Sequence, residues 1–482
     1  MQHNEERKVL GFSSLVEMGE RYVFYMIQTL LVFYLIHQLH LSQVESATLA
    51  GTVFGLVYIS ALIGGCIADR LLGFYMAIFV GSVVMIFGAW LMTGVHSKDT
   101  LFFGLAFVSI SSGLIKSNIS SLIGEFYDRA KATEGERDFG FNIFYVGMNL
   151  GIVAATFLAS YLSHRYGFAT TFYSCLGVSI FVFGIVILGF FALKQYCFQK
   201  RITLSTVCMT ALLMSGYIAF VFCVLKYAAV ANFTFLLIAS ACITLLLLSA
   251  KNKQGHRALV ATIFFLLSTL YWSLYMQLFI SLILFIHYCV THYFLGIPVN
   301  TSQFVSFESV FLLILGVVMG KVWLWLSRKN KPVHDIDKFN VSFILIGCMF
   351  LLFYFAIQLT PGTEKIGAWV IILGTFLMAI SELALSAIGL SMVTKLAPTG
   401  YVSSYIGIWL VTLGFGGKLA GQLSSFIPVS HHVLSSKIAM SHGLLGFIGL
   451  SFVGAVSCFL LRKFVLHKTN VIAEIRLQSI GY

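Results

Sequence analysis

Fourteen apolar stretches of about 20 residues or more follow one another along this chain of 482 residues. A helix needs about 20 apolar residues to cross roughly 30 Å of hydrocarbon, so each stretch is long enough to span a bilayer. They cover residues 10–39, 44–67, 74–95, 101–126, 140–163, 168–193, 204–226, 230–249, 258–290, 303–327, 340–360, 366–397, 401–427 and 440–461. Hydrophobic residues make up 59% of the chain and charged residues 10%, which no soluble globular domain approaches. The sequence therefore predicts an all-α polytopic membrane protein.

The distribution of Lys and Arg indicates how the chain is oriented. An even number of spans places both termini on the same side of the membrane. With a cytoplasmic N-terminus, 21 of the 30 Lys and Arg residues fall in cytoplasmic segments, five outside and four within spans. This bias predicts a multi-pass protein of the cell (inner) membrane with both termini cytoplasmic. The net charge of +12 is then explained by anionic lipid headgroups and not by a nucleic-acid partner.

Several classes of protein are disfavoured by what the sequence lacks. It contains no phosphate-binding loop of an ATP-driven pump, no His-Glu-x-x-His metal motif and no Gly-x-Ser-x-Gly nucleophile elbow. The nine cysteines are scattered without paired spacing, so we interpret them as small apolar packing residues. Since the loops are short, function is expected inside the helix bundle, and we predict that the protein is not an enzyme.

The first span carries three charges that need an explanation. Each charge costs about 2.5–3.5 kcal/mol at the centre of a membrane helix, even on the lenient insertion scale. Helical periodicity places these charges on one face with other polar and aromatic side chains. That face carries Glu17, Glu20, Arg21, Phe24, Tyr25 and Gln28. We therefore predict that it faces a polar interior and that its charges pair with one another.

Residues 17–25, Glu-Met-Gly-Glu-Arg-Tyr-Val-Phe-Tyr, resemble the Glu-x-x-Glu-Arg-Phe-x-Tyr-Tyr motif of the proton-dependent oligopeptide transporter family. Residues 144–151, Phe-Tyr-Val-Gly-Met-Asn-Leu-Gly, resemble the signature of that family's fifth helix. Residues 113–118 and 381–391 are similar to its fourth and tenth core helices. Residues 64–73 resemble the cytoplasmic loop signature of the major facilitator superfamily, to which the family belongs.

The resemblance implies a major facilitator fold with 12 core transmembrane helices in two six-helix bundles and two extra helices between them, 14 in total. The prokaryotic branch of the family carries these extra helices, which match the spans at 204–226 and 230–249. We accordingly expect an N-terminal bundle at 1–193, a two-helix insertion at 194–257 and a C-terminal bundle at 258–482.

The implied function is a proton-coupled symporter that imports di- and tripeptides by alternating access. Its expected partners are small peptides and the lipid bilayer, it needs no cofactor besides the coupling proton, and it is expected to work as a monomer. Two alternatives stay open at this point. One is a transporter of the same fold for another small zwitterion or organic anion, and the other is a non-transporting membrane sensor.

A peptide offers a carboxylate at one end, and two cations inside the spans suit it. Arg21 presents a planar fork that binds carboxylates through two hydrogen bonds, although a purely structural ion pair with Glu17 or Glu20 is the alternative. Lys116 has no acidic residue within a turn, so we expect its partner to be a glutamate of the first helix. When cargo occupies a cation, Glu17 or Glu20 becomes free to take up a proton. These four residues are the predicted proton-coupling group.

A peptide also offers an ammonium group, and the resemblance assigns it to Glu382 in the span 366–397. The alternative is a protonated carboxyl group that is hydrogen-bonded to a neighbouring helix. Further cargo contacts are implied by resemblance, although each side chain could equally serve in helix packing. These residues are Tyr25, Tyr58, Asn149, Gln277 and Trp409.

The chain departs from the family pattern at four positions. Met276 stands where an acidic residue usually forms a gate with Arg21. Glu308 occupies a place where asparagine is common and could replace that gate acid, or it could be a solvated residue at a helix start. Phe24 removes one hydroxyl of the Tyr-Tyr pair, and Gly51 stands where animal members have a histidine.

Overall fold

The computed structural model describes residues 2–94, 97–131, 134–197, 200–250, 255–328, 334–398, 401–430 and 432–480. Each of the fourteen predicted spans falls on a helix, so the all-α prediction is confirmed. The helices are α1 (Gln2–His37), α2 (Gln43–Ile67), α3 (Phe74–Thr93), α4 (Lys98–Arg129), α5 (Glu134–Ala192), α6 (Lys194–Cys197), α7 (Leu204–Lys226), α8 (Ala228–Ser249), α9 (Gly255–Tyr275), α10 (Ser281–Cys289), α11 (Thr301–Arg328), α12 (Asp335–Leu359), α13 (Ala368–Leu396), α14 (Val402–Ser424) and α15 (Val433–Ile480).

Helices and predicted spans do not correspond one to one, because two helices are joined and one is broken. The long helix α5 covers two predicted spans, which meet at Gly167. Gly167 has φ 83°, a conformation that side chains with a Cβ rarely adopt, so the chain turns there. The helices α9 and α10 form one span that is interrupted by the 3₁₀ turn Met276–Phe279. Gln277 lies within this break.

Eleven of the described helices are long and apolar enough to cross a membrane. The helix α1 falls short of that apolarity because its three charges interrupt the apolar sequence. The apolar part of α11 that the structure describes, Thr301–Gly316, is shorter. Many large apolar side chains point outward, among them Leu188 at 70% and Phe452 at 67% exposed, as expected for helices that face lipid. The chain is a multi-pass membrane protein.

The described helices form two compact units. Unit 1 consists of Met1–Ser42 and Thr52–Ala231, and in it α1 packs on α5, α3 packs on α4 and α5, and α7 packs on α4. The helices α2 and α4 meet backbone to backbone, because a Cβ on Gly64 would overlap the carbonyl group of Gly113. Small residues permit such close approach between membrane helices. This contact fixes α4 just before the segment that carries Lys116.

Unit 2 consists of Gln43–Gly51 and Asn232–Tyr482. In it α9 packs on α14 and α15, α12 packs on α13 and α15, and α11 packs on α13. A short antiparallel hairpin, β1 (Tyr293–Phe294) and β2 (Ile297–Pro298), lies between α10 and α11. The start of α2 belongs to this unit because Gly51 lies against α14. A Cβ on Gly51 would lie 2.5 Å from the carbonyl oxygen of Gly417 and 2.8 Å from the Cα of Gly421.

The two helices of the predicted insertion pack in different units. In unit 1, the hydroxyl of Tyr217 on α7 donates to the carbonyl oxygen of Leu56 at 3.3 Å. In unit 2, the ring of Phe235 on α8 meets Phe415 at 5.6 Å, and the ammonium of Lys418 lies 5.7 Å from the same ring. Residues 198–199 and 251–254 of that segment lie outside the described residues. The three-part division at 1–193, 194–257 and 258–482 stays a prediction.

All nine cysteines lie within the described residues, and all are free. Cys175, Cys289 and Cys458 are fully buried in the helix bundle. A buried thiol behaves as a small apolar side chain, which agrees with the packing role expected from the scattered spacing.

Candidate functional site

The polar stripe of α1 forms a buried ion-pair cluster in unit 1. Glu17, Glu20 and Arg21 are each at most 2% exposed. The Nε atom of Arg21 lies 3.3 Å from Oε1 of Glu17, one helical turn away. The same guanidinium makes two contacts with Oε2 of Glu20, from Nε at 2.5 Å and from its terminal nitrogen. The predicted mutual pairing of these three charges is therefore present in the structure.

A serine on α4 completes this cluster, and the sequence reasoning did not name it. Ser112 is buried and donates a hydrogen bond of 2.6 Å to Oε1 of Glu20. It also receives a hydrogen bond of 3.4 Å from Arg21. A signal was available, because Ser112 lies four residues before Lys116 and so shares its helical face. We call Glu17, Glu20, Arg21 and Ser112 the α1 cluster.

Lys116 lies beside the α1 cluster but does not bind it directly. Its ammonium sits 4.7 Å from the ring centre of Tyr58 on α2, a cation–π contact. Glu17, Glu20 and Arg21 all act on it electrostatically. Among the described residues, however, no ion pair within 4.0 Å joins Lys116 to a glutamate. The glutamates of the first helix therefore interact with Lys116 through electrostatics at longer range. The group in contact with its ammonium is the ring of Tyr58.

Two further predicted residues of unit 1 contact their own surroundings. Tyr25 is half-buried, and its ring meets Phe24 edge to face at 5.4 Å. The ring centre of Phe24 also lies 6.3 Å from that of Tyr58 and 5.2 Å from the guanidinium carbon of Arg21. Phe24, which lacks the family's hydroxyl, therefore serves as an aromatic bridge beside the cluster. Asn149 on α5 is buried and donates to the carbonyl oxygen of Tyr145 at 2.9 Å.

In unit 2, Glu308 and Glu382 meet as a pair of carboxyl groups. Glu308 on α11 is 2% exposed, and its carboxyl group is close enough to that of Glu382 on α13 for the two to interact electrostatically. Tyr275 donates to Oε1 of Glu308 at 3.2 Å, and Ser309 donates to Oε2 at 3.2 Å. The interpretation of Glu308 as a solvated residue at a helix start is wrong, because α13 and α9 cover its side chain. We call Glu308 and Glu382 the carboxyl pair.

In the described part of the chain, one oxygen of the carboxyl pair is buried without a protein donor. Oε2 of Glu382 has no hydrogen-bond partner among the described residues. Burying such an acceptor without a partner is costly, so the atom is suited to a donor brought by a ligand. A primary ammonium supplies three such donors.

The amide of Gln277 is fully occupied by neighbouring groups. Its nitrogen donates to the carbonyl oxygens of Ser273 and Ala420, both at 3.2 Å. Its oxygen accepts hydrogen bonds of 2.7 Å from Ser281 and from Ser424. Since an amide offers two donors and two acceptor positions, the side chain ties the break between α9 and α10 to α14. Its role in cargo binding stays a prediction.

Trp409 is packed between aromatic rings and a glycine. Its ring centre lies 6.5 Å from that of Phe265 and 6.4 Å from that of Phe339. A Cβ on Gly389 would overlap the indole, so α13 approaches it through that glycine. These contacts agree both with a tryptophan that packs in the core and with an aromatic wall of a cargo pocket. The predicted contact of Trp409 with cargo stays a prediction.

The sequence profile described as "POT family" matches residues 75–440 of the chain. Among curated proteins, the chain is 27% identical over 424 residues to dipeptide and tripeptide permease B of Xenorhabdus bovienii, covering 85% of each chain. It is 27% identical over 451 residues to the peptide transporter YePEPT of Yersinia enterocolitica, covering 86% of each. It is 26% identical over 434 residues to a dipeptide and tripeptide permease B of Salmonella typhimurium, covering 87% of this chain and 86% of the relative.

Solved structures resemble the chain over nearly its whole length. A crystal structure of tetrameric PepTSo2 superposes with a TM-score of 0.85 at 20% identity, covering 96% of this chain and 99% of the other. A peptide transporter POT in complex with alafosfalin superposes with a TM-score of 0.81 at 21% identity, covering 95% of each. These likenesses confirm the predicted major facilitator fold.

Proposed function

The chain belongs to the POT family, and on that premise we propose that it imports di- and tripeptides together with protons. As a family member it is a membrane transporter, and the predicted resemblance is confirmed by the profile match over residues 75–440. The cargo proposed here is what the curated relatives are named for, dipeptides and tripeptides. The α1 cluster is the structural feature that supports the proposal.

The α1 cluster suits a cargo carboxylate because it holds a cation that can change partners. Arg21 is shared between two glutamates, so a third carboxylate of the same kind can replace one of them at the guanidinium fork. Oε2 of Glu17 already lacks a hydrogen-bond partner among the described residues. One glutamate can therefore leave Arg21 without dismantling the other contacts.

Exchange of partners at Arg21 links the cargo to a proton. A glutamate that loses its cation in a buried site is destabilised as an anion and takes up a proton instead. A neutral zwitterionic peptide then moves with one positive charge. Inward movement of that charge releases about 2.3 kcal/mol per 100 mV, which corresponds to roughly fifty-fold accumulation.

The ammonium end of the peptide is assigned to the carboxyl pair of unit 2. The free oxygen of Glu382 is a buried acceptor, and an ammonium offers the donor it lacks. Cargo that carries both an ammonium and a carboxylate is thereby favoured, whatever its side chains. The other proposed contacts are Tyr25, Tyr58, Lys116, Asn149, Gln277 and Trp409.

For the setting of the protein, we propose the cell (inner) membrane with both termini in the cytoplasm, on the bias of Lys and Arg toward cytoplasmic segments. A monomer is proposed as the functional state, because both clusters are built within single units of one chain. The tetramer seen for PepTSo2 is a property of that protein. The proposed coupling ion is the proton, with no cofactor.

The test is uptake of labelled dialanine into proteoliposomes with an inward proton gradient that is either imposed or collapsed. Wild type, Glu20→Gln and a control, Glu125→Gln, are compared. Glu125 is the matched control because it belongs to the same unit and pairs with Arg129 outside the α1 cluster. We expect gradient-driven accumulation in wild type and control, and its loss in Glu20→Gln with counterflow exchange retained.

Each of the other possible outcomes contradicts one part of the proposal. Gradient-driven uptake that persists in Glu20→Gln contradicts coupling through α1. Uptake of an unrelated organic anion that dialanine does not inhibit favours the same fold with another cargo. Binding of dialanine without any exchange by correctly inserted protein favours a non-transporting sensor.

A further inference from the structure

The insertion helix α7 packs on unit 1 with one face and points outward with the other. Its outward side chains are apolar and exposed, among them Leu204 and Leu212, as expected for contact with lipid. The residues buried on its other face are Thr210, Met214, Tyr217, Val221, Val224 and Leu225. The hydroxyl of Thr210 donates within α7, to the carbonyl oxygen of Thr206 at 2.8 Å. In the described part of the chain, Tyr217 is thus the residue of this face whose polar group reaches other helices.

The helices α2 and α4, on which Tyr217 packs, approach each other through small residues. Ser60 on α2 donates a hydrogen bond of 2.7 Å to the carbonyl oxygen of Ser109 on α4. One turn further along α4, a Cβ on Gly113 would lie 2.3 Å from the carbonyl oxygen of Ser60. We call this contact of Ser60 with Ser109 and Gly113 the α2–α4 seam. A glycine has no side chain with which to bind the other helix, so the hydroxyls supply the directional contacts of the seam.

The hydroxyl of Tyr217 joins α7 to both helices of the α2–α4 seam. It donates to the carbonyl oxygen of Leu56 on α2 at 3.3 Å, and its oxygen lies 3.2 Å from Oγ of Ser109 on α4. Because the phenol has a single proton and a carbonyl oxygen can only accept, the hydroxyl of Ser109 donates to the phenol oxygen. Leu56, Ser109 and Tyr217 are all buried. One side chain of the insertion therefore hydrogen-bonds to two core helices at once.

Two contacts of the predicted proton-coupling group lie next to the seam on α4. Ser112 and Lys116 follow Ser109 by three and seven residues, within two helical turns. Ser112 donates to Glu20 on α1, and the ammonium of Lys116 lies over the ring of Tyr58 on α2. Since the other partner of each contact is on a different helix, a slide or rotation of α4 against α2 would change both contacts.

We propose that Tyr217 is a positioning residue for transport, through which the insertion helix α7 holds α2 and α4 in the register that Ser112 and Lys116 need. This inference rests on the proposed function, in which Glu20 and Lys116 couple cargo to the proton. Helices in lipid associate through close packing and interhelical hydrogen bonds, without a hydrophobic driving force between them. A phenol that bonds to two helices therefore affects their register, and the insertion takes part in coupling through the placement of α4.

The test compares wild type with Tyr217→Phe, which keeps the ring and removes the hydroxyl. Tyr227→Phe is the matched control, because Tyr227 ends the same insertion helix, is exposed, and has a hydroxyl without a hydrogen bond among the described residues. Dialanine is followed in proteoliposomes by gradient-driven accumulation and by counterflow exchange. We expect Tyr217→Phe to lower accumulation roughly two- to fivefold, the effect of about one hydrogen bond, with exchange unchanged. The control should match wild type in both measurements.

Ser109→Ala is the second variant, because it removes the donor to the phenol and leaves Tyr217 in place. It should separate accumulation from exchange in the same direction as Tyr217→Phe. The double variant should be no worse than Tyr217→Phe alone, because both changes remove the same bond. A proportional loss of accumulation and exchange in Tyr217→Phe, or additive losses in the double variant, would limit the phenol to a structural role and overturn the proposal.

A measurement without cargo separates this inference from the proposed function. Hydrogen–deuterium exchange with mass spectrometry reports how firmly the backbone of residues 109–118 is held. We expect faster exchange over this segment in Tyr217→Phe than in wild type and in Tyr227→Phe. Unchanged exchange there overturns the positioning role. Failure of wild type to accumulate dialanine, with faster exchange still present in Tyr217→Phe, contradicts the proposed function alone.

Discussion

Unit 1 and unit 2 each bring two glutamates close together, but they surround them in different ways. Glu17 and Glu20 share a permanent cation, Arg21, and a hydroxyl donor. Among the described residues, the hydrogen bonds to Glu308 come from two neutral donors, Tyr275 and Ser309. An arginine stays charged throughout, whereas a phenol and an alcohol hydroxyl donate hydrogen bonds without a charge. One region therefore balances its glutamates with a fixed cation, and the other surrounds its glutamates with neutral hydrogen-bond donors.

The largest effect is expected from removing the permanent cation of unit 1, Arg21. Arg21→Ala leaves two buried carboxyl groups without a counter-ion, and breaking a buried pair this way costs about 3–5 kcal/mol of unfolding free energy. Thermal unfolding in detergent should show a large loss of stability, and dialanine uptake should disappear. Arg21→Lys, which keeps the charge without the planar fork, should recover part of the stability. Wild-type stability of Arg21→Ala would mean that the cluster holds no ionised glutamate.

The next largest effect is expected in unit 2, where a phenol supports the carboxyl pair. Tyr275→Phe removes the hydroxyl that donates to Glu308 and should cost about 1.5 kcal/mol of unfolding free energy. Tyr354→Phe is the control, because Tyr354 is a partly buried tyrosine whose hydroxyl makes no hydrogen bond among the described residues. Equal stabilities of the two variants would show that the pair does not depend on this donor.

A smaller effect is expected from the serine that the α1 cluster recruits from α4. Ser112→Ala removes the donor to Glu20 and should lower the unfolding free energy by about 1 kcal/mol. Its neighbour Ser111 is buried too, but it donates only to Val108 of its own helix. Ser111→Ala should therefore be milder, and the reverse ranking would contradict the role given to Ser112.

The smallest effect should come from exchanging a carboxyl group for an amide in unit 2. In Glu308→Gln the amide oxygen still accepts from Tyr275 and Ser309 and no partner cation is lost, so the unfolding free energy should change by no more than about 0.5 kcal/mol. The matched change in unit 1, Glu17→Gln, removes a charge that Arg21 uses and should cost more. A larger loss for Glu308→Gln than for Glu17→Gln would invert the comparison between the two regions.

Much of this organisation was predictable because charge is expensive in a membrane. The stripe of α1 and the intramembrane Glu382 stand out in an apolar sequence, and helical spacing alone groups Glu17, Glu20 and Arg21. The family and the fold were likewise correctly inferred from short motifs. Helix spacing also explains the glycines at 147 and 151, which the structure places against Ser14 and Met18 of α1.

Contacts between helices were harder to predict, since a sequence does not give the facing side chain of another helix. Glu308 lies near a helix start, where solvent contact is the ordinary expectation, and only the packing of α13 reveals its partner. Lys116 was expected to meet a glutamate but contacts the ring of Tyr58. Gln277 could not be recognised as a fully bonded amide without its neighbours on α14.

The contact of Gly51 with α14 restricts how this protein can change by mutation. Every amino acid other than glycine brings a Cβ, and at position 51 that atom would lie 2.5 Å from a backbone oxygen that cannot move aside alone. The histidine that the resemblance places here in animal members of the family would bring such a Cβ. Passing from glycine to that histidine therefore takes more than one substitution, because the spacing of two helices must change first. Any side chain at position 51 therefore requires a wider spacing of α2 and α14 than the structure has.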